Sequence, residues 1–121
     1  MTDDRIERQE ILERRMLVFA ANVIRKLERD KNISLRIADQ LIRSSSSIGA
    51  NYAEARNAVS RLDFRNKVYI AKKEAAETRF WIDLCIELTS DESWRELRKE
   101  THSLVLVLQV IANSVNERKP R

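Results

Sequence analysis

His102 is the only histidine of the chain, and Arg95 precedes it by seven residues in a segment of helical pattern. A cation that holds phosphate beside an imidazole that moves a proton is the equipment of a metal-independent ribonuclease. The same pair arises readily by chance in a basic helical chain, and the competing reading is a surface histidine. Other catalytic or cofactor chemistry lacks its residues. A di-metal carboxylate bundle needs Glu-x-x-His on two helices, and tetrahedral zinc needs several His or Cys. This chain has one of each, His102 and Cys85. A single glycine cannot build a phosphate-cradling loop. Glu74, Glu77, Asp83 and Glu87 lie among Lys and Arg and read as i,i+4 ion pairs rather than magnesium ligands. No cofactor, no metal and no enzyme are expected.

The cations make a more specific pattern. Arg65, Lys72 and Arg79 recur every seven residues, Arg61 stands one turn before them, and Tyr69 lies between. Heptad spacing puts all of them along one side of a helix. Such a stripe tracks a phosphate backbone while an aromatic ring stacks on a base. Glu74 and Glu77 argue the other way, for a solvated, ion-paired face. The formal net charge of +4 with 35% charged residues describes a mixed, mildly basic surface that permits nucleic acid without requiring it.

Four helices must carry these residues. One Gly and one Pro in 121 residues leave too few turn formers for a sheet protein, and Pro120 is beyond the body of the chain. The apolar spacing predicts helices over about 5–29, 35–58, 62–88 and 93–115 in a single domain, 1–121. Leu12, Met16, Phe19, Val23 and Leu27 stripe the first, and Phe64, Val68, Ala71, Ala75, Ile82 and Cys85 or Ile86 the third. Ser34 and Ser60 are candidate N-caps, Thr89–Glu92 matches a capping box, and Trp81 and Trp94 flank the last turn. Connections this short set neighbouring helices antiparallel, so the fold class is all-α, an up-down four-helix bundle.

The second helix contains Ser44, Ser45, Ser46, Ser47, Gly49 and Ala50, a run of small residues poorly suited to helix. Small side chains there read as a packing motif that admits a neighbouring backbone. The fourth helix has the opposite character. Leu97, Leu104 and Ile111 form a seam, but Leu104–Leu108 and Val110 carry apolar surface around the whole circumference. A strand is the alternative for that run; as a helix it has more apolar surface than one bundle buries. Leu104, Val105, Val107, Leu108 and Ile111 are therefore candidates for a subunit interface. No signal peptide is evident, and no run approaches the ~20 apolar residues of a membrane span, so a cytoplasmic protein without membrane contact is expected.

The segments R-S-S-S-S-I-G-A-N-Y-A-E-A at 43–55, S-R-L-D-F at 60–64 and Y-I-A-K-K-E-A-A-E-T-R-F-W at 69–81 resemble a bacterial four-helix-bundle family. Its founding members are encoded in intervening sequences of large-subunit ribosomal RNA genes. The resemblance covers the second and third helices by motif and the outer two by length and pattern. Many relatives have Glu-Gly at Glu54-Ala55 and Gly-Ser at Lys73-Glu74. The resemblance implies an antiparallel bundle that assembles as a ring-like homopentamer. A more distant likeness is to the accessory protein of diversity-generating retroelements, a basic pentamer that binds reverse transcriptase and RNA. It therefore implies a non-enzymatic oligomer that binds structured RNA or a nucleic-acid enzyme. The alternatives are a purely structural protein scaffold and the Arg95–His102 ribonuclease.

Overall fold

The structure, a computed structural model, describes residues 4–117. The ends of the expected 1–121 domain, residues 1–3 and 118–121, lie outside the described residues. Four helices follow in order: α1 (Asp4–Arg29), α2 (Leu35–Arg56), α3 (Arg61–Thr89) and α4 (Arg95–Glu117), with a 3-10 turn at Glu92–Trp94. The run Leu104–Leu108 is helical, and the described residues contain no strand.

Cross-helix bonds give the topology. Arg43 reaches Glu74 and Glu54 meets Lys67, so α2 and α3 run in opposite directions. Asp83 meets Arg98 while Arg61 meets Val115, which makes α3 and α4 antiparallel as well. Arg15 with Glu100 and Lys26 with Asp91 close α1 on α4 in the same sense. That last seam is the thinnest, because α1 packs chiefly on α2.

Two helix starts follow the predicted chemistry. Ser34 accepts from the Arg36 amide at 3.2 Å and Ser60 from the Asp63 amide at 3.0 Å. The third does not. Thr89 closes α3, its hydroxyl donating back to the Cys85 carbonyl at 2.7 Å. Ser90 takes the left-handed conformation (φ 56°) that ends helices, and Asp91 caps the 3-10 turn through the Ser93 amide at 2.9 Å. The Thr89–Glu92 capping box is thus replaced by a C-cap and a new N-cap one after the other. The hydroxyl and amide of Ser93, then Lys26, hold the Asp91 carboxylate down at about 2. The same Lys26 ammonium lies 4.8 Å over the ring of fully buried Trp94. Trp81, on the other side of that turn, meets Phe80 edge-to-face and donates to Glu77 at 2.9 Å.

The core takes Met16, Phe19 and Val23 from α1, Leu41, Ile48 and Tyr52 from α2, Val68, Ala71, Ala75 and Ile82 from α3, and Leu104 and Leu108 from α4. Ser44 and Ser45 are also wholly buried. The Ser44 hydroxyl is hydrogen-bonded to that of Thr78 at 2.9 Å across the α2–α3 contact, which removes the cost of burying either. Gly49 marks the closest approach of α1: a Cβ there would meet Met16 Cβ at 3.2 Å. Ser46 and Ala50 are exposed and Ser47 half-buried, and both outer serines bond back to carbonyls of their own helix. The packing motif therefore narrows to Ser44, Ser45 and Gly49.

The candidate interface on α4 changes too. Leu104 and Leu108 have no exposed surface, and Val105 and Ile111 pack on the core. They fill the monomer, so two of them have nothing to offer a neighbour; Val107 is half-buried. The exposed apolar residues of this helix are Leu106 (53%) and Val110 (66%).

A cationic face along the α3–α4 seam

Helix α3 presents differently charged flanks to its two neighbours. Toward α2 the contact is ion-paired. Arg43 pairs with Glu74 at 3.3 Å and with Glu77, and Lys67 pairs with Glu54 at 2.8 Å. The Trp81 indole N–H and the Arg43 guanidinium hold Glu77 below the usual carboxylate range. Glu74 and Glu77 therefore act between helices rather than as i,i+4 pairs within α3. They are drawn away from the cations they were expected to neutralise.

Toward α4 the partners are neutral. Arg79 Nη1 lies 3.1 Å from His102 Nδ1. A guanidinium only donates, so Nδ1 is the acceptor in this contact. Lys72 donates to the Gln109 side-chain oxygen, and Gln109 Nε2 donates to Asn113 at 2.8 Å. Arg65 lies over Tyr69, 5.4 Å from the ring centroid, with its Nε buried and unpartnered. Arg61 Nη2 donates at 3.0 Å to the Val115 carbonyl of α4.

Arg61, Arg65, Lys72 and Arg79 thus form a row with no ion pair among the described residues. Asp83 ends it, engaged by Arg98. The row is what the heptad spacing predicts; of its neighbours from α4, Gln109 and Asn113 were not identified in the sequence, and His102 was singled out there only as a partner for Arg95. Seven-residue spacing on α4 (102, 109) and one more turn (113) is the signal that matches it.

Arg95 and His102 are not brought to a common site. Arg95 turns back to Glu92, while His102 meets Arg79 from the other helix. Among the described residues no group of three or more His, Cys, Asp and Glu is placed to hold a metal ion. No helix of the described residues is long and apolar enough to cross a membrane.

Comparison with known proteins gives a family and a fold. The family described as 23S rRNA-intervening sequence protein matches residues 9–110. A solved structure, a protein with unknown function from the S23 ribosomal protein family of Bacteroides thetaiotaomicron VPI-5482, is 31% identical. The match covers 87% of this chain and 97% of that one, with a TM-score of 0.79. No curated protein matches.

Proposed function

Since the chain belongs to the 23S rRNA-intervening sequence protein family, we propose that it is a non-enzymatic adaptor that binds RNA. It works as an oligomer, a homopentamer by the resemblance of its motifs, and is encoded by or near a ribosomal RNA intervening sequence. One observation carries the RNA reading: the α3 cations that face α4 lack carboxylate partners among the described residues, whereas Lys67 on the opposite flank is paired with Glu54, and Glu74 and Glu77 there are taken by Arg43 of α2. Unpaired cations in a row gain most from phosphate, because no internal ion pair must first be broken.

Replacing Arg65, Lys72 and Arg79 together by Glu tests this. All three are only half-buried, and none holds an ion pair among the described residues. The variant should keep its helicity and lose at least about tenfold in RNA affinity, with the log–log salt slope reduced by about 2–3. Unchanged affinity and slope would put the RNA elsewhere or nowhere.

A second reading, a protein scaffold, is favoured by Leu106 and Val110, which stay exposed on a helix whose inner face is full. The two readings separate on purification: a defined oligomer that retains no RNA at moderate salt supports the scaffold.

A further inference from the structure

The end of the bundle where α1 begins and α4 finishes contains a cleft of about 740 Å³. Leu12, Phe64 and Ile111 form an apolar floor over buried Tyr52, and all three remain partly open. Arg8, Arg56 and Arg61 stand around it beside Arg5, which has a partner of its own, and among the described side chains no carboxylate lines it. Up-down topology explains the gathering: the start of α1, the end of α2 and the start of α3 share this end. Arg56 donates Nη1 to Glu13 at 2.8 Å, and its Nε is buried without a partner among the described residues. Arg61 belongs both to this cleft and to the row along α3, so the two surfaces are continuous. The volume falls within the range of sites that hold small organic ligands.

An apolar floor beneath a ring of arginines asks for a ligand that is flat and apolar on one side and anionic on the other. An unpaired nucleotide meets both demands, whereas a base inside a continuous duplex cannot leave the stack without losing its pairing. The residues after 117 include Arg118, Lys119 and Arg121, whose charge does not complement the arginine rim. We propose that the cleft receives one unpaired nucleotide of the bound RNA, its base against Phe64, Leu12 and Ile111 and its phosphates on Arg8, Arg56 and Arg61. This rests on the RNA reading above and adds selectivity to it: bulged or looped RNA is taken in preference to uninterrupted duplex.

Fluorescence anisotropy with the full chain and two labelled RNA hairpins tests the inference. One hairpin has a fully paired stem, and the other has a single unpaired adenosine in the same stem. The bulged hairpin should bind roughly tenfold tighter. Ala58→Trp, which fills the cleft from the α2–α3 connection, should abolish that preference and leave paired-stem affinity unchanged. Arg8→Glu, an exposed change that spares the core, should reduce the preference independently of how Ala58→Trp folds. Equal wild-type affinity for the two hairpins would overturn the cleft while leaving RNA binding in place. No binding of either would overturn both readings, and a preference that survives both substitutions would overturn the cleft.

Discussion

Cys85 is wholly buried, and that burial pushes its thiol up to about 11 from an ordinary value of 9.0. The folded chain therefore keeps a proton that the unfolded chain releases near pH 9. Stability from this difference is fully present below pH 9 and is lost as pH rises through about 11. The stability advantage of wild type over Cys85→Ala, measured by urea denaturation, should shrink between pH 9 and 11. An advantage that stays constant would mean the thiol is more open than its position indicates. The same burial makes the thiol a poor nucleophile, so a lone cysteine, ambiguous in sequence, is here a core residue. Single residues of the cationic row were readable for a different reason. Heptad spacing fixes which side of a helix a residue occupies, and Arg65, Lys72 and Arg79 do share one side. What spacing could not give was the partner of each charge. Glu74 and Glu77 look like neutralising neighbours in sequence, yet Arg43 of α2 claims both.

At the scale of the helix, the small residues of α2 divide by direction. Ser44 meets Thr78 of α3, Gly49 admits Met16 of α1, and Ala50, one position later, is exposed. Gly49→Leu should accordingly destabilise by about 1–3 kcal/mol through overpacking. Ala50→Leu should change stability by less than about 0.5 kcal/mol. Equal effects in urea denaturation would deny the close approach of α1 at Gly49. The extent of each helix was largely legible, because apolar period and serine caps act locally. The Thr89–Glu92 turn was misread because two local solutions compete there. Thr89 prefers its own helix, bonding back to Cys85, and Asp91 is the better cap for the amides that follow. The apolar excess of α4 was legible as an excess. Its division into Leu104 and Leu108 inside and Leu106 and Val110 outside needed the neighbouring helices, since period alone leaves the inward direction open.

For the whole molecule, exposed apolar surface is the property that bears on assembly. Leu106 and Val110 lie one turn apart on α4, and Ile11 and Val18 are exposed on α1, the helix joined to α4 by the thinnest seam. Leu106→Glu with Val110→Glu should leave helicity intact and convert the proposed oligomer to monomers in analytical ultracentrifugation. A double variant that sediments as wild type would assign assembly to another face. Of the cleft arginines only Arg61 was singled out in the sequence, as part of the α3 row; Arg5, Arg8 and Arg56 escaped because they belong to two other helices and join Arg61 only when the bundle closes. That gathering of arginines at one end gives the molecule a head and a tail. In a cyclic assembly whose rotation axis runs along the bundles, symmetry turns every head the same way. Such a ring is two-faced: one rim collects the clefts of all its protomers, and the other presents the Trp94 turns and the α1–α2 connections. RNA would then be received from one side, leaving the opposite rim free for a different partner.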